Sequence, residues 1–405
     1  MHLINTGVKW GLDMKEFTIG GLNAGQRFDK YLTKLLPGAS KSFIYKMLRK
    51  KNITLNGKKA DGNEKLAACD VIRIFFADDT YNKFAGNNTQ TIKDTGNQAD
   101  YIDSNKTKNN NAKNNNAKNS NVKSDKVKSN KARVLKECGI PEIVFEDKDI
   151  LLINKPSGML SQKAQPDDYS LVEYVADYLL ESGYLSQEDL KIFHPGICNR
   201  LDRNTSGLVA AGKTMAGLQN MSLAFKERTL HKYYICLVKG QITNRAMING
   251  YLVKDSKNNK VTIYKYNEFD TAADISAIKG AQDKSEALPV ETEYIPVKYS
   301  DKLTLLKVNL ITGRSHQIRA HLASIGHPII GDIKYGNKNI NALYKGKYNI
   351  SDQMLHAYEL DIPKELDIPE KGLNIKTDIP KEFIKVIKGE NIWEPGIQEV
   401  LEALH

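Results

Sequence analysis

The segment between residues 77 and 138 most constrains what this chain of 405 residues can fold into, because it contains little that could be buried. Asparagine and lysine dominate it, and from Asp103 to Lys136 ten Lys or Arg residues stand against two Asp residues. A segment this polar cannot bury enough apolar surface to offset the entropy lost on ordering. We therefore predict a disordered, low-complexity linker over residues 77–138 that separates two folded parts.

The part before the linker, residues 14–76, has the pattern of a small basic module. Apolar residues at helical spacing predict one helix over 27–36 and a second over 41–51. The pair Asn56-Gly57 then predicts a tight hairpin turn. Basic residues crowd one face of the second helix and the hairpin, which is typical of phosphate binding or of a solvated surface. The candidates for RNA contact are Lys41, Lys46, Arg49, Lys50, Lys51 and Lys58.

The order of these elements matches a known module. The segments Arg27–Leu32, Ser40–Ile44 and Ile53–Lys58 resemble the alpha-L RNA-binding domain, which is named for ribosomal small-subunit protein four. The resemblance implies a small α/β module that docks on structured RNA. Residues 1–13 precede it and are expected to be an extension outside the fold.

The composition of the whole chain agrees with an anionic partner. It has 59 Lys and Arg residues against 48 Asp and Glu residues, a net charge of +11, which favours nucleic acid over a membrane surface. The four cysteines form no CxxC pair, so we expect reduced thiols in a cytoplasmic protein rather than a zinc or redox site. No apolar run reaches the roughly 18 residues that span a membrane, and we expect no membrane association.

The part after the linker, residues 139–405, mixes strand and helix patterns. Runs of apolar residues around short polar turns predict hairpins over 143–153 and 294–310. Capping residues predict helices that begin after Ser170 and Ser315. Strands dominate and helices are scattered among them, so we predict an α+β domain with a mixed, largely antiparallel sheet.

One acidic residue in this second part lies between two arginines. In the loop Asn199–Leu208, Asp202 is preceded by Arg200 and followed by Arg203. Nearby positive charge favours the ionised form of a carboxyl group, and an ionised carboxylate can serve as a nucleophile or a general base. Aspartate is also among the commonest turn residues, and the motif taken alone is more typical of a turn.

Three further segments place polar residues where strands or helices begin or end. These segments are Ile153–Gly158, Lys232–Gly240 and Thr312–His321. The last of them and the residues after it contain three histidines, His316, His321 and His327. Steps of five and six residues do not share a helix face, and the chain has no H-E-x-x-H motif, so we predict no metal site.

Together and in this order, the four segments resemble the pseudouridine synthases of the RluA/RluC/RluD class over most of the second part. The resemblance implies that Asp202 is the catalytic aspartate, that Tyr234 is the active-site tyrosine, and that Arg319 pairs with the aspartate. The isomerisation requires no metal or redox cofactor, so we expect none. Arg203 and Arg314 are candidates for contact with RNA phosphates, with surface solvation as the alternative.

The chain departs from the pattern of that class at three places. Asn199 stands where histidine is common, Asn204 stands where aspartate is common, and the stretch Leu160–Gln162 replaces V-H-P. None of these positions belongs to the three implied catalytic residues, and the departures indicate a subgroup. Lys155 matches the N-K-P motif of the class and is expected to be structural.

The implied function is the isomerisation of specific uridines in RNA to pseudouridine. The alpha-L module favours large-subunit (23S) ribosomal RNA or ribosomal precursor particles as the partner, with transfer RNA or dual specificity as the alternative. A non-catalytic RNA-binding protein that assists ribosome assembly is the alternative of another class, and the intact trio of Asp202, Tyr234 and Arg319 argues against it. We expect a monomer.

Overall fold

The computed structural model describes two compact units of the chain. The described residues are 14–85, 129–255, 257–265, 287–366 and 372–404. The first unit is built from residues 14–85, Ala176–Pro195 and Lys213–Ala216, and the second from the other described residues. The extension predicted over residues 1–13 lies outside the described residues.

Helices and strands alternate irregularly along the chain. The helices are α1 Phe28–Leu35, α2 Lys41–Arg49, α3 Asp78–Ala85, α4 129–138, α5 Leu171–Glu181, α6 Gln187–Ile192, α7 Met215–Glu227, α8 Gln317–Ser324, α9 Lys338–Tyr348, α10 Lys381–Gly389 and α11 Ile397–Ala403. The strands are β1 Met14–Thr18, β2 Ile53–Leu55, β3 Val71–Phe75, β4 Glu142–Glu146, β5 Ile150–Lys155, β6 Gly196–Ile197, β7 Ser206–Gly212, β8 His231–Lys239, β9 Ala246–Asp255, β10 Lys260–Lys265, β11 Leu288–Tyr299, β12 Leu303–Asn309, β13 Leu355–Ile362 and β14 Leu373–Lys376. Within the described ranges, no helix is long and apolar enough to cross a membrane.

The first unit contains a three-stranded antiparallel sheet in the order β1-β3-β2, which shares one apolar core with α1 and α2. Ser40 caps α2, because its hydroxyl accepts a hydrogen bond from the amide of Phe43 at 3.2 Å. The turn that follows β2, between Leu55 and Lys58, has positive φ at both Asn56 (52°) and Gly57 (72°), as an Asn-Gly turn requires. The predicted helices and the predicted turn of this module are therefore confirmed.

The predicted linker is helical at both of its described ends. Helix α3 begins at Asp78 and helix α4 occupies residues 129–138, whereas residues 86–128 lie outside the described part of the chain. The prediction of disorder is wrong for these two ends. In α3, two acidic residues in the first turn favour the helix terminus, and Tyr81 and Phe84 pack against the core of the first unit. Composition averaged over the whole segment hides such local contacts.

One sheet of eleven strands dominates the second unit. Its order is β10-β9-β11-β12-β8-β13-β7-β5-β4, with β14 beside β13 and β6 beside β7. Strands β13 and β7 pair in parallel, and the other pairings of the described strands in this sheet are antiparallel. The α+β class with a mixed, largely antiparallel sheet is confirmed.

The parallel pairing of β13 with β7 fixes the strand that follows the acidic loop. His356 lies opposite Ser206, and Ala357 lies opposite Gly207. Gly207 has a φ of +109°, and a Cβ there would lie 2.2 Å from the carbonyl oxygen of Ala357, so only glycine fits. The buried His356 ring hydrogen-bonds to the hydroxyls of Ser206 (2.8 Å) and Thr377 (2.6 Å). Burial lowers the pKa of His356 to about 3, so the ring is neutral.

A buried ion pair ties the C-terminal end of the chain to this sheet. Lys307 on β12 and Glu359 on β13 are fully buried, and their side chains meet at 2.8 Å. The ammonium group also donates to the carbonyl oxygens of Leu401 (2.8 Å) and Leu404 (2.7 Å), and Glu359 accepts from the amide group of Asn374 at 2.9 Å. All three ammonium protons are therefore used, which buried charge requires.

Replacing Lys307 by methionine is expected to destabilise the protein by about 3–5 kcal/mol, because Glu359 would stay buried without its cation. The matched control is Lys298→Met, which removes an exposed ion pair to Glu394 (2.7 Å) and is expected to cost at most about 1 kcal/mol. Urea unfolding followed by tryptophan fluorescence measures both free energies. Equal losses of unfolding free energy in the two variants would show that the buried pair stabilises the protein no more than the exposed pair does.

Candidate active site

The loop that carries Asp202, here called the aspartate loop (residues 199–205), is fastened near its start. The buried Ser161 donates its hydroxyl proton to the carbonyl oxygen of Leu201 at 2.8 Å and accepts from the Leu201 amide at 3.1 Å. The side-chain oxygen of Asn199 accepts a hydrogen bond from a backbone amide of β7 at 2.8 Å. Ser161 and Asn199 lie at two of the places where the sequence departs from the pattern that it resembles, and both hold this loop.

Lys155 fastens the middle of the aspartate loop. The side chain is fully buried at the end of β5, and its ammonium group donates to the carbonyl oxygens of Pro156 (3.0 Å), Met159 (2.9 Å) and Arg203 (3.0 Å). Carbonyl groups rather than a carboxylate take all three protons. Burial lowers the pKa of Lys155 to about 7. Because Arg203 directly follows Asp202 in the chain, these contacts support the loop next to Asp202.

Asn204 fastens the end of the aspartate loop. Its amide nitrogen donates to Oδ1 of Asp352 at 2.7 Å. The hydroxyl of Ser157 lies 3.0 Å from the carbonyl oxygen of Asn204 and 3.2 Å from Oδ2 of Asp352. Ser157, Asn204 and Asp352 thus form a closed polar triangle. An asparagine donates a hydrogen bond to Asp352, whereas an ionised aspartate at position 204 could not.

Arg319 on α8 connects Asp202 to a second carboxylate. The residue is only 6% exposed. Nη1 donates to Oδ2 of Asp202 at 2.6 Å, and Nε and Nη2 donate to the two oxygens of Asp332 at 2.7 and 2.9 Å. Burial alone lowers the pKa of Arg319, but the hydrogen bonds and charges of Asp332 and then Asp202 outweigh it and raise that pKa. The pairing of Arg319 with Asp202 that the sequence implies is present.

Asp332 anchors this arrangement, although the sequence analysis assigned it no role. Its side chain is fully buried and accepts hydrogen bonds from the backbone amides of Lys334 (2.8 Å) and Tyr335 (3.0 Å) in addition to Arg319. Burial raises the pKa of Asp332, but the hydrogen bond and charge of Arg319 and the two backbone amides together lower it below its ordinary value. A bidentate pair fixes the plane of a guanidinium group. The sequence did contain a signal for a second carboxylate, because a buried arginine has more hydrogen-bond donors than one aspartate can satisfy.

The cap of helix α8 lies one residue later than predicted. The sequence predicts Ser315 as the capping residue, but the N-cap is His316, which has a φ of 57° and makes no side-chain cap. The buried Gln317 instead holds the turn before the helix, because its side-chain oxygen accepts from the hydroxyl of Thr312 (2.9 Å) and the amide of Arg314 (3.0 Å). Its side-chain nitrogen donates to β11. The prediction of Ser315 as the cap is therefore wrong.

The three histidines have separate partners. Nδ1 of His316 lies 2.9 Å from the hydroxyl of Tyr335, and its Nε2 lies 3.8 Å from Asp202. His321 bonds to a threonine hydroxyl on β11 at 2.7 Å, and His327 bonds to a backbone carbonyl of β8 at 2.8 Å. Burial lowers the pKa of His316 despite the nearby Asp202. In the described part of the chain, no group of three or more His, Cys, Asp or Glu side chains could hold a metal ion.

Tyr234 lies on β8, opposite Val308 of β12 and Ala357 of β13, and is 7% exposed. Burial and then the charge of Asp202 raise the pKa of Tyr234 above its ordinary value, so its hydroxyl stays protonated at neutral pH. No described residue forms a hydrogen bond with that hydroxyl, which leaves it available to a ligand. Tyr234 lines the same pocket as Asp202.

Asp202, Tyr234 and Arg319 line one pocket of about 970 Å³ within the second unit. Asp202 is the one acidic residue among its described lining residues, whereas nine are basic. The basic residues are Lys163, Arg200, Arg203, Lys226, Arg228, Lys232, Lys254, Arg314 and Arg319. Arg203 and Arg314, which the sequence predicts as RNA contacts, are both exposed. The other surface cations were missed because nothing in the chain order shows that they converge.

The other six predicted RNA contacts all lie in the first unit. They are Lys41, Lys46, Arg49, Lys50, Lys51 and Lys58, and each is exposed. The first five lie on α2 or directly after it, and Lys58 follows the hairpin turn. None forms an ion pair with a residue that the structure describes. Their charge is therefore available to an anionic ligand.

Comparison with known proteins decides the family. The sequence matches the RNA pseudouridylate synthase family over residues 149–324 and the S4 domain over residues 26–72. It is 30% identical over 354 residues to an uncharacterized RNA pseudouridine synthase of Mycoplasma genitalium, which covers 86% of this chain and 89% of that protein. The chain belongs to the RNA pseudouridine synthase family.

Two other relatives cover nearly the whole synthase. Ribosomal large subunit pseudouridine synthase C of Vibrio vulnificus is 27% identical over 367 residues, 90% of this chain and 93% of that protein. The protein of the same name from Pasteurella multocida is 25% identical over 392 residues, 96% of this chain and 94% of that protein. The synthase is an isomerase that acts on RNA, and its N-terminal module is the S4 domain that the sequence predicted.

Replacing Asn204 by aspartate is expected to lower the activity of the synthase about tenfold at neutral pH, a loss of ~1.4 kcal/mol of transition-state stabilisation. The new carboxylate would face Asp352, and like charges at that distance raise the pKa of one of the pair. Activity should therefore recover partly as the pH falls and the pair binds a proton. Release of tritium from RNA labelled at carbon 5 of uracil measures the rate.

The matched control for this substitution exchanges the two residues, Asn204→Asp with Asp352→Asn. The exchange reverses the direction of the hydrogen bond and should restore most of the activity and remove the added pH dependence. If the exchanged variant is as impaired as Asn204→Asp alone, the triangle does not position the aspartate loop.

Proposed function

We propose that the synthase isomerises specific uridines of large-subunit (23S) ribosomal RNA and that Asp202 is its catalytic residue. The relatives from Vibrio vulnificus and Pasteurella multocida are named for the large ribosomal subunit, and an S4 domain suits a structured RNA. The observation that carries the proposal is the contact of Asp202 with the buried Arg319, in a pocket with nine basic residues. A cytoplasmic location follows from the same substrate.

The reaction replaces one bond to the ribose by another. The bond between C1′ and nitrogen 1 of uracil breaks, the base turns, and C1′ joins carbon 5. Carbon 5 loses a proton and nitrogen 1 gains one, so the product is an isomer. The carboxylate of Asp202 starts the sequence by attacking C1′ or by removing a proton from the ribose, and both routes require the ionised group.

The surrounding residues supply orientation. Arg319 binds Oδ2 of Asp202, which leaves Oδ1 to face the ribose. Asp332 keeps the guanidinium group in place from its other edge. The ring of Tyr234 offers an aromatic face that holds the freed uracil while it turns, and its protonated hydroxyl can donate a hydrogen bond to the base.

The basic residues of both units serve binding. A uridine in a folded RNA must leave its stack to reach the pocket, which costs a few kcal/mol. Contacts of Arg203 and Arg314 with flanking phosphates offset that cost. The exposed cations on α2 of the S4 domain add affinity that depends on salt. No cofactor takes part in the proposed reaction.

Replacing Asp202 by asparagine is expected to reduce tritium release by at least about 10²–10⁴-fold, because the amide cannot act as a base or nucleophile. Binding of 23S ribosomal RNA should persist, since asparagine keeps the size of the side chain. The control is Asp301→Asn in the turn between β11 and β12, which should retain normal release. Near-normal release by Asp202→Asn would exclude the assignment, and RNA binding without release by the wild type would favour a non-catalytic assembly factor.

Replacing Lys46, Arg49 and Lys50 together by glutamine is expected to weaken RNA binding and to flatten its dependence on salt. Each lost phosphate contact should reduce the slope of log Kd against log salt concentration by about 0.7–0.9. The control removes three exposed lysines of the second unit that do not line the pocket, Lys338, Lys364 and Lys381. Filter binding at several salt concentrations gives the slopes, and identical slopes for the two triple variants would refute a docking role for α2.

A further inference from the structure

Three basic residues from three separate elements converge on one side of the pocket. Arg228 follows α7, Lys232 lies near the start of β8, and Arg314 precedes α8, and all three line the pocket. Nζ of Lys232 lies 3.6 Å from the position that a Cβ would take at Gly313, the residue before Arg314. The ammonium group of Lys232 is therefore held against the turn that carries Arg314.

These cations have no carboxylate partner in the part of the chain that the structure describes. Arg319, in contrast, binds both Asp202 and Asp332. Lys232 is half-buried, and burial and then the charge of Arg228 lower its pKa. Arg228 has a φ of 61°, a conformation that is uncommon for a residue other than glycine. The charge of Arg228 therefore disfavours the charged form of Lys232, and a bound anion would offset that effect.

We propose that Arg228, Lys232 and Arg314 form a subsite for one backbone phosphate of RNA beside the target uridine. This inference rests on the proposed function for the identity of the RNA and adds the place where one of its phosphates binds. The two non-bridging oxygens of a phosphodiester accept hydrogen bonds from ammonium and guanidinium groups at once. Asp202 is the one described acid of the pocket, and Arg319 already engages it.

The test measures binding of 23S ribosomal RNA, transcribed in vitro, at several salt concentrations. The variant Arg228→Gln with Lys232→Gln should reduce the slope of log Kd against log salt concentration by about 0.7–0.9, the value for one phosphate contact. The control Lys338→Gln with Lys381→Gln removes the same charge outside the pocket and should leave the slope unchanged. A slope equal to that of the control overturns the subsite.

Two further variants answer two questions. The first is whether the charge or the packing of Lys232 sets the slope, and the second is whether the three cations bind one phosphate or several. Lys232→Arg keeps the charge and should keep the wild-type slope; a slope as low as that of the glutamine variant means that packing, not charge, is responsible. Arg314→Gln changes an exposed side chain, so its folding is secure. Added to the double variant, it should keep the total reduction of the slope within about 0.7–0.9, because the three cations share one phosphate. A second drop of similar size overturns the shared subsite.

Uridine 5′-monophosphate distinguishes an RNA phosphate from a small nucleotide. We expect it to bind more weakly than RNA by several orders of magnitude. Tight binding that the double variant abolishes, with an unchanged RNA slope, would overturn the proposal in favour of a nucleotide site. Because binding and tritium release are separate measurements, a wild type that binds RNA but releases no tritium refutes the proposed function and leaves the subsite intact. Turnover by the wild type together with an unchanged slope in the double variant refutes the subsite and leaves the proposed function intact.

Discussion

The guanidinium group of Arg319 is the interaction on which the rest of the site depends. It is almost fully buried and is shared between Asp332, which is fully buried, and Asp202, which is part-exposed. A buried arginine with one carboxylate would leave donors unsatisfied, and a buried aspartate without the arginine would be costly. Because Asp332 holds the Nε–Nη2 edge of the guanidinium group, the direction of Nη1 is fixed, and Nη1 positions Asp202 in the pocket.

The aspartate loop is built to keep that geometry. Lys155 and Ser161 bind the loop backbone, and Asn204 within the loop binds Asp352. Asn199, Asn204 and Ser161 lie at the three places where the sequence departs from the pattern that it otherwise resembles, and all three carry such contacts. The differences therefore concern how the loop is held, and they leave Asp202, Tyr234 and Arg319 in one pocket.

Parts of this arrangement could be predicted from the sequence, and parts could not. Short-range signals are local, so the cap at Ser40 and the turn at Asn56-Gly57 were foreseen, and the motif order implied the contact of Arg319 with Asp202. The partnership of Asp332 and the cluster around Lys232 depend on which distant segments meet, which no spacing reveals. The helix at the start of the predicted linker forms for the same reason, since its aromatic residues find partners in the core of the first unit.

The most direct test of the central claim is a map of pseudouridines in 23S ribosomal RNA from cells that lack this protein. The account predicts that one or more pseudouridines disappear, that the wild-type protein restores them, and that the Asp202→Asn variant, produced at the same level, does not. A map identical to that of the parent cells, or full restoration by the Asp202→Asn variant, would contradict it.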